Sequence, residues 1–282
     1  MSKTTQAFLT FGSLFALSAT NATAASGKIS PYAYELTQVF GLPITNSMVM
    51  SWVVSAVIII AFRLCAGKPT LIPSRAQAIV ESLIDGIRNL IEPIVGKRLL
   101  KPTFPLLIAF FVYILMQNWS GLLPGVGTFG HETDGHFFYY MRPANADLNG
   151  TLALALIAMA AWFYFVLRYA GFKTLIYDLF GNKASKHEVP ALLYYALFVV
   201  FVIVGGIEVI SILFRPVSLS LRLYGNVFGG ENLLTNMTNL VSWVVPVPFY
   251  FLEVLIGFVQ ALVFTLLVAV YIGSICNHEE EH

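Results

Sequence analysis

The sequence predicts an all-α fold: a polytopic helical membrane protein with about five membrane-crossing helices plus an amphipathic surface helix. Three observations carry this. Hydrophobic residues make up 57% of the 282-residue chain and charged residues 11%, against about 25% charged in an ordinary soluble domain. Uncharged apolar tracts recur at the length of about 20 residues that a helix needs to cross a bilayer core. The basic residues concentrate in alternate links between those tracts.

The elements follow in order. Residues 1–26 combine one lysine, a short apolar core and the small-residue run ATA, which resembles a cleavable signal peptide cut near Ala24. The alternative is an uncleaved extension at the membrane surface, so residues 1–25 are set apart from one membrane domain over 26–282. Residues 44–62 form the first span. Residues 79–95 are amphipathic: Ile79, Leu83, Ile87, Leu90, Ile91, Ile94 and Val95 recur at helical spacing, with Glu81, Asp85, Arg88 and Glu92 opposite. Such a helix lies flat on the inner surface. Residues 102–124 and 148–167 form two further spans. From 191 to 271 the chain stays apolar, too long for one crossing, and fits two long, tilted helices broken near Pro246 and Pro248.

Orientation comes from the links. Segments 63–101 and 168–187 hold Arg63, Lys68, Arg75, Arg88, Lys97, Arg98, Lys101, Arg168, Lys173, Lys183 and Lys186, whereas the link between 124 and 148 holds Arg142 alone. Positive charge stays on the cytoplasmic side. The chain therefore begins outside and ends inside, with the HETDGH loop outside. A net charge of +1 and the lack of a basic cluster interleaved with aromatics argue against nucleic acid. Cys65 and Cys276, far apart and in no metal-like spacing, do not suggest a disulfide.

The charges in the last apolar stretch stand out. Between Glu188 and the tail lie only Glu208, Arg215, Arg222, Glu231 and Glu253. Each charge at the bilayer centre costs about 2.5–3.5 kcal/mol on insertion scales, and such residues face a bundle interior or a wet path and mark ion translocation. Glu208, Arg215 and Arg222 follow one another at seven-residue intervals, along nearly one helix face, with Asn226 a turn beyond Arg222. Two turns rise about 10 Å, so no pairing along the helix is expected and the partners come from elsewhere. Glu253 and Gln260 repeat the interval with Gly257 between them, and Gly225, Gly229 and Gly230 remove bulk beside Arg222. The bland alternatives are an ion pair of Arg222 with Glu231 or Glu253 that locks two helices, Glu208 and Arg215 snorkelling at the interface, and Gln260 as a simple interhelical hydrogen-bond partner.

The stretch SLSLRLYGNVFGGE at 218–231 resembles the signature of subunit a of F-type ATP synthases, the membrane-embedded stator channel subunit. FRPVS before it, FVQALVFTLLVAVYIG after it and NWSGLLPG at 118–125 are similar to the same family. With the matching topology, the resemblance covers most of residues 40–275. It implies a non-catalytic subunit of a multi-pass bacterial inner-membrane complex, with its last two helices tilted against a rotor ring. It also implies two partners besides the lipid bilayer, the c-ring and the peripheral stalk b subunits.

By the same resemblance Arg222 is the essential arginine opposite the rotor-ring carboxylate. Asn226, Glu231, Glu253 and Gln260 occupy the polar half-channel positions, and Glu208 matches a further acid upstream. Bacterial members have a Glu and a His at the positions of Glu231 and Glu253, and mitochondrial ones swap them; this chain has Glu at both. That departure leaves H⁺ or Na⁺ open as the coupling ion.

Charge physics then gives a mechanism. Ions load onto a ring carboxylate from one half-channel, ride nearly a full rotation and leave by the other. A fixed cation between the channels draws the ion off the carboxylate and repels cations leaking straight across. Arginine suits this because it keeps its proton when buried, which lysine does not. No cofactor is implied, and without a P-loop or phosphate-cradling glycine pattern the chain binds no nucleotide. HEEEH at 278–282 fits a zinc-protease pattern but lies on a tail without an evident third ligand, and His131 and His136 fit a solvated loop. A secondary transporter with Arg222 on an anionic substrate, or a structural subunit, remain as competing classes; the odd span count and the missing inverted repeat weigh against the first.

Overall fold

The computed structural model describes residues 33–39, 41–65, 73–123, 126, 130–133, 136–180, 191–240 and 245–276. The expected leader, the HEEEH tail, Lys68, Lys183, Lys186 and Glu188 lie outside them. Within them the chain runs β1 (Glu35–Val39), β2 (Leu42–Thr45), α1 (Asn46–Cys65), α2 (Arg75–Val95), α3 (Lys97–Ser120), β3 (Gly130–Thr133) and β4 (His136–Tyr139). It continues through a 3₁₀ turn (Ala144–Ala146), α4 (Leu148–Tyr169), α5 (Gly171–Phe180), α6 (Ala191–Leu240) and α7 (Pro246–Cys276).

Five helices are long and apolar enough to cross a membrane: α1, α3, α4, residues Val200–Leu240 of α6, and α7. These are the predicted spans. The break expected near Pro246 and Pro248 falls where α6 stops at Leu240 and α7 starts at Pro246. Proline suits that first helical position because its missing N–H would have no partner there. The 41-residue apolar part of α6 is about 60 Å long at 1.5 Å per residue, about twice a bilayer core, so it cannot cross upright.

Two features go beyond the prediction. The segments before α1 and between α3 and α4 form two antiparallel hairpins, β1 with β2 and β3 with β4. In the first, Gly41 at φ 80° supplies the left-handed turn residue that a side chain resists. The link after α4 is also partly helical, because Gly171 at φ 82° ends one helix and opens α5.

The chain divides into two compact units. One comprises Met1–Val80, Phe110–Thr151 and Arg222–Val263; the other comprises Glu81–Ala109, Leu152–Leu221 and Phe264–His282. In the second, Ile87, Ile91 and Val95 of α2 are buried at four-residue spacing, as the amphipathic pattern predicts. A β-carbon at Gly273 would meet the Ile94 carbonyl, so α7 lies directly on the α2 backbone. Trp162 Nε1 donates to the Tyr271 carbonyl at 2.8 Å and ties α4 to α7.

The same unit corrects one expectation. Arg215 Nη2 donates to Glu208 Oε1 at 2.8 Å, a pairing along the helix across two turns. Helical side chains lean toward the helix N-terminus, so the long arginine reaches back down its own face and closes a gap that backbone rise alone leaves open. Its guanidinium also lies 4.4 Å from the Tyr271 ring centroid and 5.7 Å from that of Trp162, both within cation–π range.

In the first unit, residues 142–147 are buried throughout. Asp147 Oδ2 accepts from Ser47 Oγ at 3.1 Å, and Asn145 Nδ2 donates to Asn118 Oδ1 at 2.7 Å. The Phe111 and Phe258 rings meet edge to face with centroids 5.9 Å apart, packing α3 on α7.

Candidate functional site

Five of the six predicted residues fall in the first unit: Arg222, Asn226, Glu231, Glu253 and Gln260. What each can do is set by its phase on α6 or α7.

The inner face of α6 is marked by Leu219, Leu223 and Val227, all buried at four-residue spacing. Arg222 is a third of a turn off that face and exposed, with no acidic partner among the described residues. Gly225 and Gly229 share its side of the helix, since three and seven residues bring the helix back within about 60°. Both are exposed, and a β-carbon on either would touch nothing within 4 Å. The arginine therefore stands on a smooth, open strip of an apolar helix.

Glu231, nine residues further, is about half a turn out of phase with Arg222 and turns the other way. Its Oε2 accepts from Arg142 Nη2 at 3.4 Å, and the two side chains are 23% and 4% exposed respectively. Glu253 does not meet Arg222 either. Its carboxyl lies where a β-carbon at Gly230 would stand, so Gly230 is the notch that admits it. Of the three glycines expected to clear space beside Arg222, two do so and the third makes room for an acid on α7. The alternative of a helix-locking pair between Arg222 and Glu231 or Glu253 is not what forms.

Asn226 Nδ2 donates to Gln260 Oε1 at 2.7 Å, joining the polar stripes of α6 and α7 as their spacing suggests. Below them Asn118 Nδ2 donates to the Gly257 carbonyl at 3.0 Å, and Trp119 Nε1 to that of Val254 at 3.1 Å. A β-carbon at Gly257 would lie 3.2 Å from Asn118 Cβ, so the glycine sets how closely α3 and α7 approach. Gln260 Nε2 and both amide atoms of Gln117 are buried and find no partner among the described residues. Glu208, the sixth residue, belongs to the other unit and is held by Arg215.

Sequence reasoning missed Arg142, Gln117, Asn118 and Asn145 as parts of this site. The lone basic residue of the link between α3 and α4 was the available signal for Arg142, and the NWSGLLPG stretch for Asn118; Gln117 and Asn145 sit in apolar or loop context that carries none. Among the described residues no group of three or more His, Cys, Asp or Glu side chains could hold a metal.

Comparison with known proteins shows the family. The family model described as ATP synthase A chain matches residues 48–273. ATP synthase subunit a of Trichlorobacter lovleyi is 33% identical over 238 residues, covering 84% of this chain and 89% of that protein. ATP synthase subunit a of Moorella thermoacetica is 31% identical over 233 residues, 83% of this chain and 91% of the relative. That of Gloeobacter violaceus is 31% identical over 237 residues, 84% and 86%.

Proposed function

The chain belongs to the ATP synthase A chain family, a non-catalytic, multi-pass membrane subunit, and from that premise we propose that it carries protons through two offset half-channels beside a rotating c-ring. The observation that carries this is the state of Arg222. A guanidinium that cannot deprotonate stands exposed on an apolar helix, 22 residues after Val200 and 18 before Leu240, with no acidic partner among the described residues. Left facing lipid, that charge costs about 2.5–3.5 kcal/mol even on the lenient insertion scales. A carboxylate on a neighbouring helix removes the cost, and Gly225 and Gly229 leave room for that helix to come close.

In this reading Arg222 is the cation that discharges each ring carboxylate. Asn226, Glu231, Glu253 and Gln260 line the paths to and from it, and Glu208 lies along α6 toward the other side. Buried amide atoms without partners among the described residues, on Gln260 and Gln117, support hydrated paths, since such groups are normally satisfied by ordered water. One charge moving through 100 mV releases about 2.3 kcal/mol, so several pooled ions drive one synthesis event. The peripheral stalk b subunits hold the chain against the ring. Residues 26–282 form its membrane domain in a bacterial inner membrane, after a leader over 1–25. The N-terminus is outside and the C-terminus cytoplasmic.

The test replaces Arg222 with alanine in the assembled complex in membrane vesicles. Ion-gradient-driven ATP synthesis is expected to vanish while the chain still co-purifies with the ring. Normal synthesis by an assembled Arg222→Ala complex would end the proposal. Repeating the wild-type measurement with a proton-only and a Na⁺-only gradient identifies the ion.

A further inference from the structure

We propose that Arg142 is a positioning residue of the ion path: it holds the Glu231 carboxyl inward, on the side of α6 away from Arg222, with one oxygen bound and one left available. This rests on the ion-path reading above and adds a residue to it.

Arg142 is carried by a tightly held segment. Residues 142–147 are all buried, and most of them are fixed to a different neighbour. A β-carbon at Gly121 would lie 2.6 Å from Pro143 Cγ, so Pro143 is seated on the end of α3. The Ala144 carbonyl lies 2.9 Å from where a β-carbon at Gly150 would be, against α4. Asn145 is bonded to Asn118 at 2.7 Å and Asp147 to Ser47 at 3.1 Å. Asn118 in turn bonds the α7 backbone at Gly257. Arg142 thus projects from a strap riveted to α1, α3 and α4, and through Asn118 to α7.

A buried guanidinium at 4% exposure is tolerated only beside a compensating anion. Glu231 is that anion, at 3.4 Å. The contact engages Nη2 and Oε2 alone, whereas a bidentate clamp would occupy both carboxylate oxygens. Glu231 Oε1 has no partner among the described residues, which leaves it for an ion or a water.

The experiment uses the whole complex in inverted vesicles, with ATP-driven pumping read as membrane potential by an oxonol dye, which responds to either cation, and with rates normalised to assembled subunit. Arg142→Gln is expected to lower pumping about tenfold, and Arg142→Lys, which keeps the charge, to stay within about threefold of wild type. Arg142→Gln combined with Glu231→Gln should lose little more than the worse single variant, because both remove one contact. Independent, multiplying effects would overturn the proposal, as would wild-type pumping by Arg142→Gln. If Arg142→Gln does not assemble, Arg142→Lys decides: pumping near wild type supports the proposal. Failure of both to assemble assigns the residue to folding and overturns it. Arg222→Ala run alongside separates the two ideas. Pumping by that variant sinks the ion-path reading itself; no pumping there, with normal pumping by Arg142→Gln, sinks only the role of Arg142.

Discussion

The carboxyl of Glu253 fills the space that a β-carbon at residue 230 would need. A glycine on α6 and an acid on α7 are thus paired by shape, and the pairing sets where the acid can stand relative to Glu231, the next residue along α6. In a packed interior a single added methyl is felt as a displacement of its neighbour, at about 1–3 kcal/mol.

Gly230→Ala is therefore expected to expel the Glu253 carboxyl from its notch and reduce ion-driven ATP synthesis about tenfold in assembled complexes. Gly86→Ala on α2, where the new atom also touches nothing within 4 Å, serves as the control and is expected to assemble and synthesise normally. Equal rates for the two variants would dissolve the link between Gly230 and Glu253.

Larger residues on the open strip separate the fold of this chain from its partnership. A β-carbon at Gly225 or Gly229 meets nothing within 4 Å, so for Gly225→Leu and Gly229→Leu the chain's own thermal unfolding in detergent should shift by less than the equivalent of about 0.5 kcal/mol. Recovery of the chain in complex with ring subunits, measured by co-purification, should fall sharply. Full recovery with both substitutions would mean that no helix packs against this side of α6.

The Arg215 cluster is expected to matter for stability. Arg215 bridges Glu208 and lies over the Tyr271 and Trp162 rings, with its side chain 15% exposed; the Glu208 side chain is 48% exposed. Arg215→Ala should cost about 2–3 kcal/mol, from lost aromatic contact and packing. Glu208→Gln, which keeps an acceptor for the guanidinium at an accessible site, should cost less than about 1 kcal/mol. Thermal denaturation of both in detergent checks the order, and a reversed order would show that Glu208 anchors the cluster.

The membrane helices were legible because an uncharged apolar run of span length has one stable outcome in lipid, and a proline after such a run marks where the next begins. Arg222 stands out in the sequence for a related reason, as a charge in that setting is costly, and the structure places it exposed on α6. Phase on a helix was legible in part: Asn226 and Gln260 do meet, while Gly230 parts company with Gly225 and Gly229 because one position along a helix turns the side chain by about 100°. The Arg142–Glu231 contact joins residues 89 apart, and no local pattern encodes a meeting across that distance. The Arg215–Glu208 bridge was hidden for the opposite reason. Backbone rise was counted, and the lean of long side chains along the axis was not. The hairpins lie in polar segments where alternation is too short to distinguish a strand pair from an irregular loop.

Arg222 stands exposed on α6 with no acidic partner among the described residues, so the covering of its charge is left to something beyond them. On the proposed reading, a copy without its ring would carry that uncovered charge in lipid, at a cost of about 2.5–3.5 kcal/mol. Matched amounts of the two would then follow from physical chemistry as much as from regulation.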